Sequence, residues 1–230
     1  MAYDFLGITN KVLTSFNEVN LSSSNFATIT GFHADVKNSV NKAIRDIYTD
    51  EETQWPFAWT EYSFTTLTDG TQIYTPDANA NQINWDSFYV DADSLLEQPY
   101  QKLDQMAWQV YLDEYRINDK AATTIDQYDT PYRVVRRPNN TILISPKADK
   151  AYTVKYEAYS YPTALEDYDD VPAIPETYEQ VILDGAEYYA NLFRDNYELA
   201  SACEQRFQDG IHQMRRSLIS NPTHLTFYGN

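Results

Sequence analysis

The chain has 230 residues, 43% of them apolar and 15% aromatic, enough to bury a sizeable core and too many for a disordered chain. Asp and Glu number 34 against 17 Lys and Arg, a net charge of −17 that disfavours sequence-independent nucleic-acid binding across a basic surface. The single Cys203 excludes an internal disulfide framework, and no apolar run approaches the roughly 20 residues that a membrane span needs. Met1 is followed by mixed polar sequence without the basic start and apolar centre of a secretory signal, so a soluble protein made in the cytosol is expected.

The first predicted helix runs from about Tyr3 to Asn20, where Phe5, Ile8, Val12, Leu13, Phe16 and Val19 recur at spacings of three and four. Leu21 to Thr30 is rich in Ser, Thr and Asn, which compete for backbone hydrogen bonds and read as a loop. A second helix from about Ala34 to Thr49 presents Val36, Val40, Ala43, Ile44, Ile47 and Tyr48 on one stripe. It stops before Trp55-Pro56, because proline drives the preceding residue out of the α region.

From Phe57 to Val90 the residues are aromatic and β-branched, and Thr68-Asp69-Gly70 suggests a tight turn between Phe64–Leu67 and Thr71–Tyr74, an expected hairpin. Leu103 to Tyr115 is a candidate short helix. Strands are then expected at Tyr132–Val135, Thr141–Ser145 and Ala151–Tyr161, the last with Val154, Tyr156 and Ala158 alternating with Lys155, Glu157 and Tyr159. Helical periodicity returns at Pro175, which suits a first helical turn, and carries Val181, Ile182, Ala186 and Tyr189 on one face. After a break near Asn196, Leu199, Cys203, Phe207, Ile211, Met214 and Leu218 continue it to Asn221-Pro222.

These elements predict an α+β fold, an antiparallel helical bundle from both chain ends with an inserted antiparallel β domain. The expected boundaries are residues 1–55 plus 162–220 for the bundle, 56–161 for the β-rich insertion and 221–230 for a C-terminal tail. In that tail Leu225, Phe227 and Tyr228 stand in a segment without Asp, Glu, Lys or Arg, which makes them candidates for anchoring in a neighbouring protein.

Catalytic signals are sparse. His33, His212 and His224 stand far apart and in no metal-ligand spacing, and the six glycines form neither a phosphate-cradling loop nor a nucleophile elbow. Cys203 reads as a small buried hydrophobe, and the carboxylate run Glu166-Asp167 with Asp169-Asp170 lacks the order of a calcium loop and reads as a solvated connector. Arg136-Arg137 and Arg215-Arg216 are isolated basic pairs. The 20 Tyr, 10 Phe and 4 Trp suit either a sugar-binding platform or a subunit interface. No cofactor and no metal is expected.

An ordered set of segments resembles one family. Asn25-Phe26 through Gly31-Phe32-His33, Val36-Lys37, Val40 to Ile47 and Trp55-Pro56-Phe57 resemble the N-terminal half of the head-to-tail adaptor proteins of tailed, chiefly short-tailed, bacteriophages, the tail tubular protein A-like family. Tyr115-Arg116-Ile117, Pro131 to Val135, Tyr161-Pro162-Thr163, Tyr188-Tyr189-Ala190 and Phe193 to Asn196 follow in family order. The most specific piece is Asp170-Val171-Pro172-Ala173-Ile174-Pro175-Glu176, leading into a Tyr-rich helix. The resemblance spares Asp69 to Asp113 and the last ten residues.

It implies a virion structural protein and no enzyme: a dodecameric ring between the portal protein and the tail nozzle or tube protein, in the neck of the particle. DNA would leave through its channel without specific binding, and no membrane would be involved. Because the C-terminal end of the helical domain faces the portal in that family, the portal is the partner expected for the anchoring candidates Leu225, Phe227 and Tyr228. A tail completion or stopper subunit is the nearest alternative, and a carbohydrate-active enzyme or binding module a more distant one.

Overall fold

The computed structural model describes residues 2–50, 53–91 and 100–219. The fold is mixed α+β, and the chain divides into two compact units. Residues 1–58 and 162–230 make up a helical unit, and Trp59–Tyr161 a β unit.

In the helical unit, α1 (Phe5–Ser15) starts where the Asp4 carboxylate accepts the Gly7 N–H at 2.7 Å, an N-cap. Phe5, Ile8, Val12 and Leu13 are buried, but the helix stops short of the expected Asn20. Asn17 takes a left-handed conformation with φ 55°, which asparagine tolerates better than most residues, and Val19 beyond it is 79% exposed. Helix α2 (Phe32–Thr49) follows Gly31, whose φ of 64° favours glycine, and buries Val36, Val40, Ala43, Ile44 and Ile47. A 3₁₀ turn (Glu176–Tyr178) leads into α5 (Glu179–Phe193), and α6 (Tyr197–Leu218) follows a break at left-handed Asp195. Helix α5 packs against both α2 and α6, and α1 against α2 and α5. The approach is tightest at Gly185, where a Cβ would meet the Ala43 Cβ at 2.8 Å and the Phe207 ring at 2.7 Å.

Two asparagine amides fix the connections of this unit. Asn41 donates to the Leu165 carbonyl at 2.9 Å and accepts the Leu165 N–H at 2.9 Å. Asn10 treats Leu21 in the same way, at 3.0 and 2.7 Å. Each satisfies both polar groups of a loop residue that would otherwise compete for water.

The β unit holds two sheets. The five-stranded sheet is centred on β9 (Thr153–Ser160), which pairs antiparallel with β1 (Trp59–Thr65), β3 (Ala80–Ile83) and β4 (Tyr89–Val90), while β5 (Gln101–Lys102) extends β4. The four-stranded sheet runs β2 (Ile73–Tyr74), β8 (Ile142–Ser145), β7 (Arg133–Arg136) and β6 (Asp104–Met106). All its pairs are antiparallel except β6 with β7, which is parallel. Val154, Tyr156 and Ala158 of β9 are buried, as their alternation predicts. They share a core with Phe88, Leu103, Val134, Ile142 and Ile144, and the Phe88 and Tyr156 rings stack at 4.9 Å.

Two expectations are corrected here. Phe64–Leu67 and Thr71–Tyr74 do not pair as a hairpin: β1 joins β9 and β2 joins β8, in different sheets. The intervening turn closes through side chains instead, with the Tyr74 hydroxyl accepting the Leu67 N–H at 3.0 Å and the Phe64 and Tyr74 rings stacked at 4.7 Å. The helix expected at Leu103–Tyr115 begins later and runs further. Buried Leu103 lies between β5 and β6, and helix enters only at α3 (Trp108–Val110), passes through a π-helical turn (Tyr111–Tyr115) and ends as α4 (Arg116–Ala121). Pairing of Asp104–Met106 with β7 overrides the local helical period.

Candidate functional site

Most residues with chemistry to offer are engaged in holding the fold. His33 sits at hydrogen-bond distance, 3.1 Å, from the Val19 carbonyl, and the His212 carbonyl accepts from Arg216 Nε at 3.4 Å. Among the described residues no group of three or more His, Cys, Asp or Glu is placed to hold a metal ion. His224 lies outside the described residues.

Cys203 is buried on α6, with its Sγ 3.1 Å from the Arg206 guanidinium and 3.9 Å from Glu187 Oε2. Burial pushes the thiol up, further than the nearby guanidinium pulls it down, so the thiolate that nucleophilic chemistry requires is disfavoured. The expectation of a small buried hydrophobe fits these surroundings.

The carboxylate run before Pro175 is a built loop. The Asp170 carboxylate accepts the Glu166 and Asp167 N–H groups at 2.7 and 2.9 Å, which holds it below the usual carboxylate range. The loop is fastened to the start of α1 by Phe5 N–H to the Asp170 carbonyl at 2.8 Å and Leu6 N–H to the Tyr168 carbonyl at 3.0 Å. Glu166, Asp167 and Asp169 remain exposed, and so does Tyr168, at 43%.

The basic pairs have separate surroundings. Arg215 is ion-paired with Asp50, and Arg194 with Glu18 while its guanidinium lies 3.7 Å over the Phe32 ring. Arg136 faces Trp85 and Arg137 faces Trp108, with guanidinium-to-ring distances of 5.8 and 5.5 Å. Part of the aromatic wealth is core: Trp55, Tyr152, Tyr156, Phe5, Phe26 and Phe88 are among the largest fully buried side chains, while Trp59, Tyr100, Tyr161, Tyr168, Phe193 and Tyr197 are exposed.

One sizeable cleft opens in the β unit, with a volume of about 570 Å³. One wall is the turn Gly70–Ile73, another is the face of the π-interrupted helix carrying Trp108, Leu112, Arg116 and Lys120, and Arg137 and Leu143 complete it. Asp119 is buried beside it, accepting from Gln72 Nε2 at 2.8 Å. Burial first, and then the charge and hydrogen bond of Asp119, push the Tyr111 phenol upward, so it stays protonated and donates to that carboxylate. Sequence reasoning singled out Arg137 only as half of an isolated pair. The remaining residues come from distant segments, and the one available signal was the four-residue spacing of Trp108, Leu112, Arg116 and Lys120.

The anchoring residues Leu225, Phe227 and Tyr228 lie outside the described residues. Among the described residues no helix is long and apolar enough to cross a membrane. The family model described as SU10 adaptor protein matches residues 3–225, nearly the whole chain. No curated protein matches the sequence.

Proposed function

This chain belongs to the SU10 adaptor protein family, a phage head-to-tail adaptor family, and on that premise we propose that it forms a ring joining the portal to the tail nozzle or tube. Its role in the virion is structural. The observation that carries the reading is the extent of the match: residues 3–225 span both the helical and the β unit, so the likeness is not confined to one of them.

The finer reading is a dodecamer in the virion neck, made in the host cytoplasm, whose channel passes DNA without binding it specifically. A net charge of −17 supports that last point, because an acidic wall repels phosphate and lets the duplex slide. No residue is assigned a catalytic role. Within each subunit the four long helices, two from either end of the chain, form one antiparallel bundle into which the β unit is inserted. Segment 221–230 docks on the portal through Leu225, Phe227 and Tyr228, an anchoring mode in which a few apolar side chains carry most of the binding energy.

Deletion of residues 221–230 tests the docking. The truncated chain is expected to melt as the full chain does and to lose co-sedimentation with portal rings. Unaltered binding would move the portal surface elsewhere. Duplex DNA bound by the free chain at submicromolar Kd, with a steep salt dependence, would contradict the repulsive channel.

A further inference from the structure

The cleft in the β unit is basic in a strongly acidic protein, and its cations are not neutralised by ion pairs. Among the described residues none of Arg116, Lys120 and Arg137 lies in an ion pair. Arg137 donates from Nη1 to Thr141 Oγ1 at 3.2 Å, but its Nε is buried without a hydrogen-bond partner.

The backbone gathers these groups. In an α-helix a step of four residues overshoots a full turn by about 40°, so residues four apart drift around the axis. The π-helical turn at Tyr111–Tyr115 widens the helix by one residue where that drift would accumulate. Trp108, Leu112, Arg116 and Lys120 consequently all reach the one cleft. Its walls are half apolar, and Trp108 stacks on Tyr111 at 5.7 Å.

That chemistry suits a carboxylate beside an aromatic ring better than a phosphate. Buried Asp119 lowers the positive charge that a phosphate would need, and the half-apolar walls offer an aromatic side chain a surface that a phosphate cannot use. The chain itself carries a matching segment, 166–171. The Asp170 clamp takes only the N–H groups of Glu166 and Asp167, which with Asp169 stay exposed, and Tyr168 and Val171 are 43% and 62% exposed. The clamp and the bonds to Phe5 and Leu6 hold the segment in place, so little ordering entropy remains to oppose docking.

We propose that the cleft is an intersubunit socket that receives segment 166–171 of a second copy, with Tyr168 against Trp108 and the free carboxylates facing Arg116, Lys120 and Arg137. The proposal rests on the reading that copies of this chain assemble. It does not depend on how many close the ring.

The test mixes full-length chains of natural and heavy nitrogen, free and on portal rings, and treats them with a zero-length carbodiimide crosslinker. Mixed-isotope links between Lys120 and residues 166–170 are expected in at least one sample. The double variant Arg116→Glu/Arg137→Glu, with Lys120 kept as the reporter, should lower their yield about tenfold or more, and adding Asp167→Arg/Asp169→Arg should restore it through Glu166 and Asp170. Should that variant fold poorly, Arg116→Glu alone on the exposed helix face is the substitute, with the same expectation. Links only within one isotope, links that survive the charge reversals, or none in either sample would overturn the socket. So would their suppression by millimolar inorganic phosphate at constant ionic strength, which would mark a phosphate site instead. A ring that forms without these links would leave the adaptor reading standing and remove only the socket.

Discussion

The helical unit and the β unit are held together by different means. In the helical unit long amphipathic helices meet at a point where only glycine fits, and the loops between them are tied down by side-chain amides, Asn41 on Leu165 and Asn10 on Leu21. In the β unit several strands have only two residues, too few to sustain a sheet by ladder hydrogen bonds. There the aromatic stack does the joining: Phe88 on Tyr156, Trp85 on Phe88, Tyr62 on Tyr156 and Phe64 on Tyr74. Ring pairs occur in both units, Phe5 with Phe26 and Trp55 with Phe57 among those of the helical one; the helical unit adds backbone closeness and polar clamps, whereas the short strands lean on the rings.

The largest effect expected from that contrast is in the stack. Phe88→Ala removes a fully buried ring from the centre of the β unit and should cost about 3–5 kcal/mol in urea unfolding. A loss below about 1 kcal/mol would mean that the short strands hold without it. In the helical unit Ile182→Ala and Ile44→Ala, both buried on packed faces of α5 and α2, should each cost about 2–5 kcal/mol. Near-neutral melting for both would sink the shared core.

Gly185→Ala sharpens the contrast, because it adds one methyl group where Ala43 and Phe207 already stand within 3 Å. It should destabilise by about 1–3 kcal/mol although alanine is the better helix former, and Ala43→Gly should relieve part of the clash in a double-mutant cycle. Asn41→Ala should cost about 1–3 kcal/mol by stranding both polar groups of Leu165, with hydrogen exchange rising at the Leu165 amide.

The smallest effect is common to both units. Burial pushes the Tyr48 phenol of the helical unit and the Tyr152 phenol of the β unit up to about 12, from an ordinary value near 10. Between about pH 10 and 12 the unfolded chain releases these protons while the folded chain keeps them, so stability must fall as pH rises through that window. Below pH 10 both states keep them and the contribution is constant. Tyr48→Phe should flatten the alkaline slope, and an unchanged slope would assign it to other groups.

Helices were legible because one stripe of apolar residues suffices to define each of them. Val36, Val40, Ala43, Ile44 and Ile47 are all buried on α2, as their spacing implies. Strand pairing was less so. The turn at Thr68-Asp69-Gly70 was readable, but its flanks pair with β9 and β8, and nothing local to Phe64 or Ile73 encodes a partner that far along the chain. Leu103–Tyr115 misled for a related reason: Gln105 and Met106 are claimed by the parallel ladder to Val134 and Val135, and the helix starts only once that ladder ends. The basic cleft escaped because its residues come from four segments and because a π turn, invisible to a period of 3.6, aligns Trp108 with Lys120.

The central claim is that the chain is a ring-forming neck subunit, and native mass spectrometry of the full chain mixed with portal rings of the same phage tests it most directly. The account predicts a single complex whose added mass is that of a closed ring of subunits, twelve if the family reading holds, with no lone subunits bound. Portal rings that remain bare at saturating chain concentration, with the chain monomeric beside them, would contradict it.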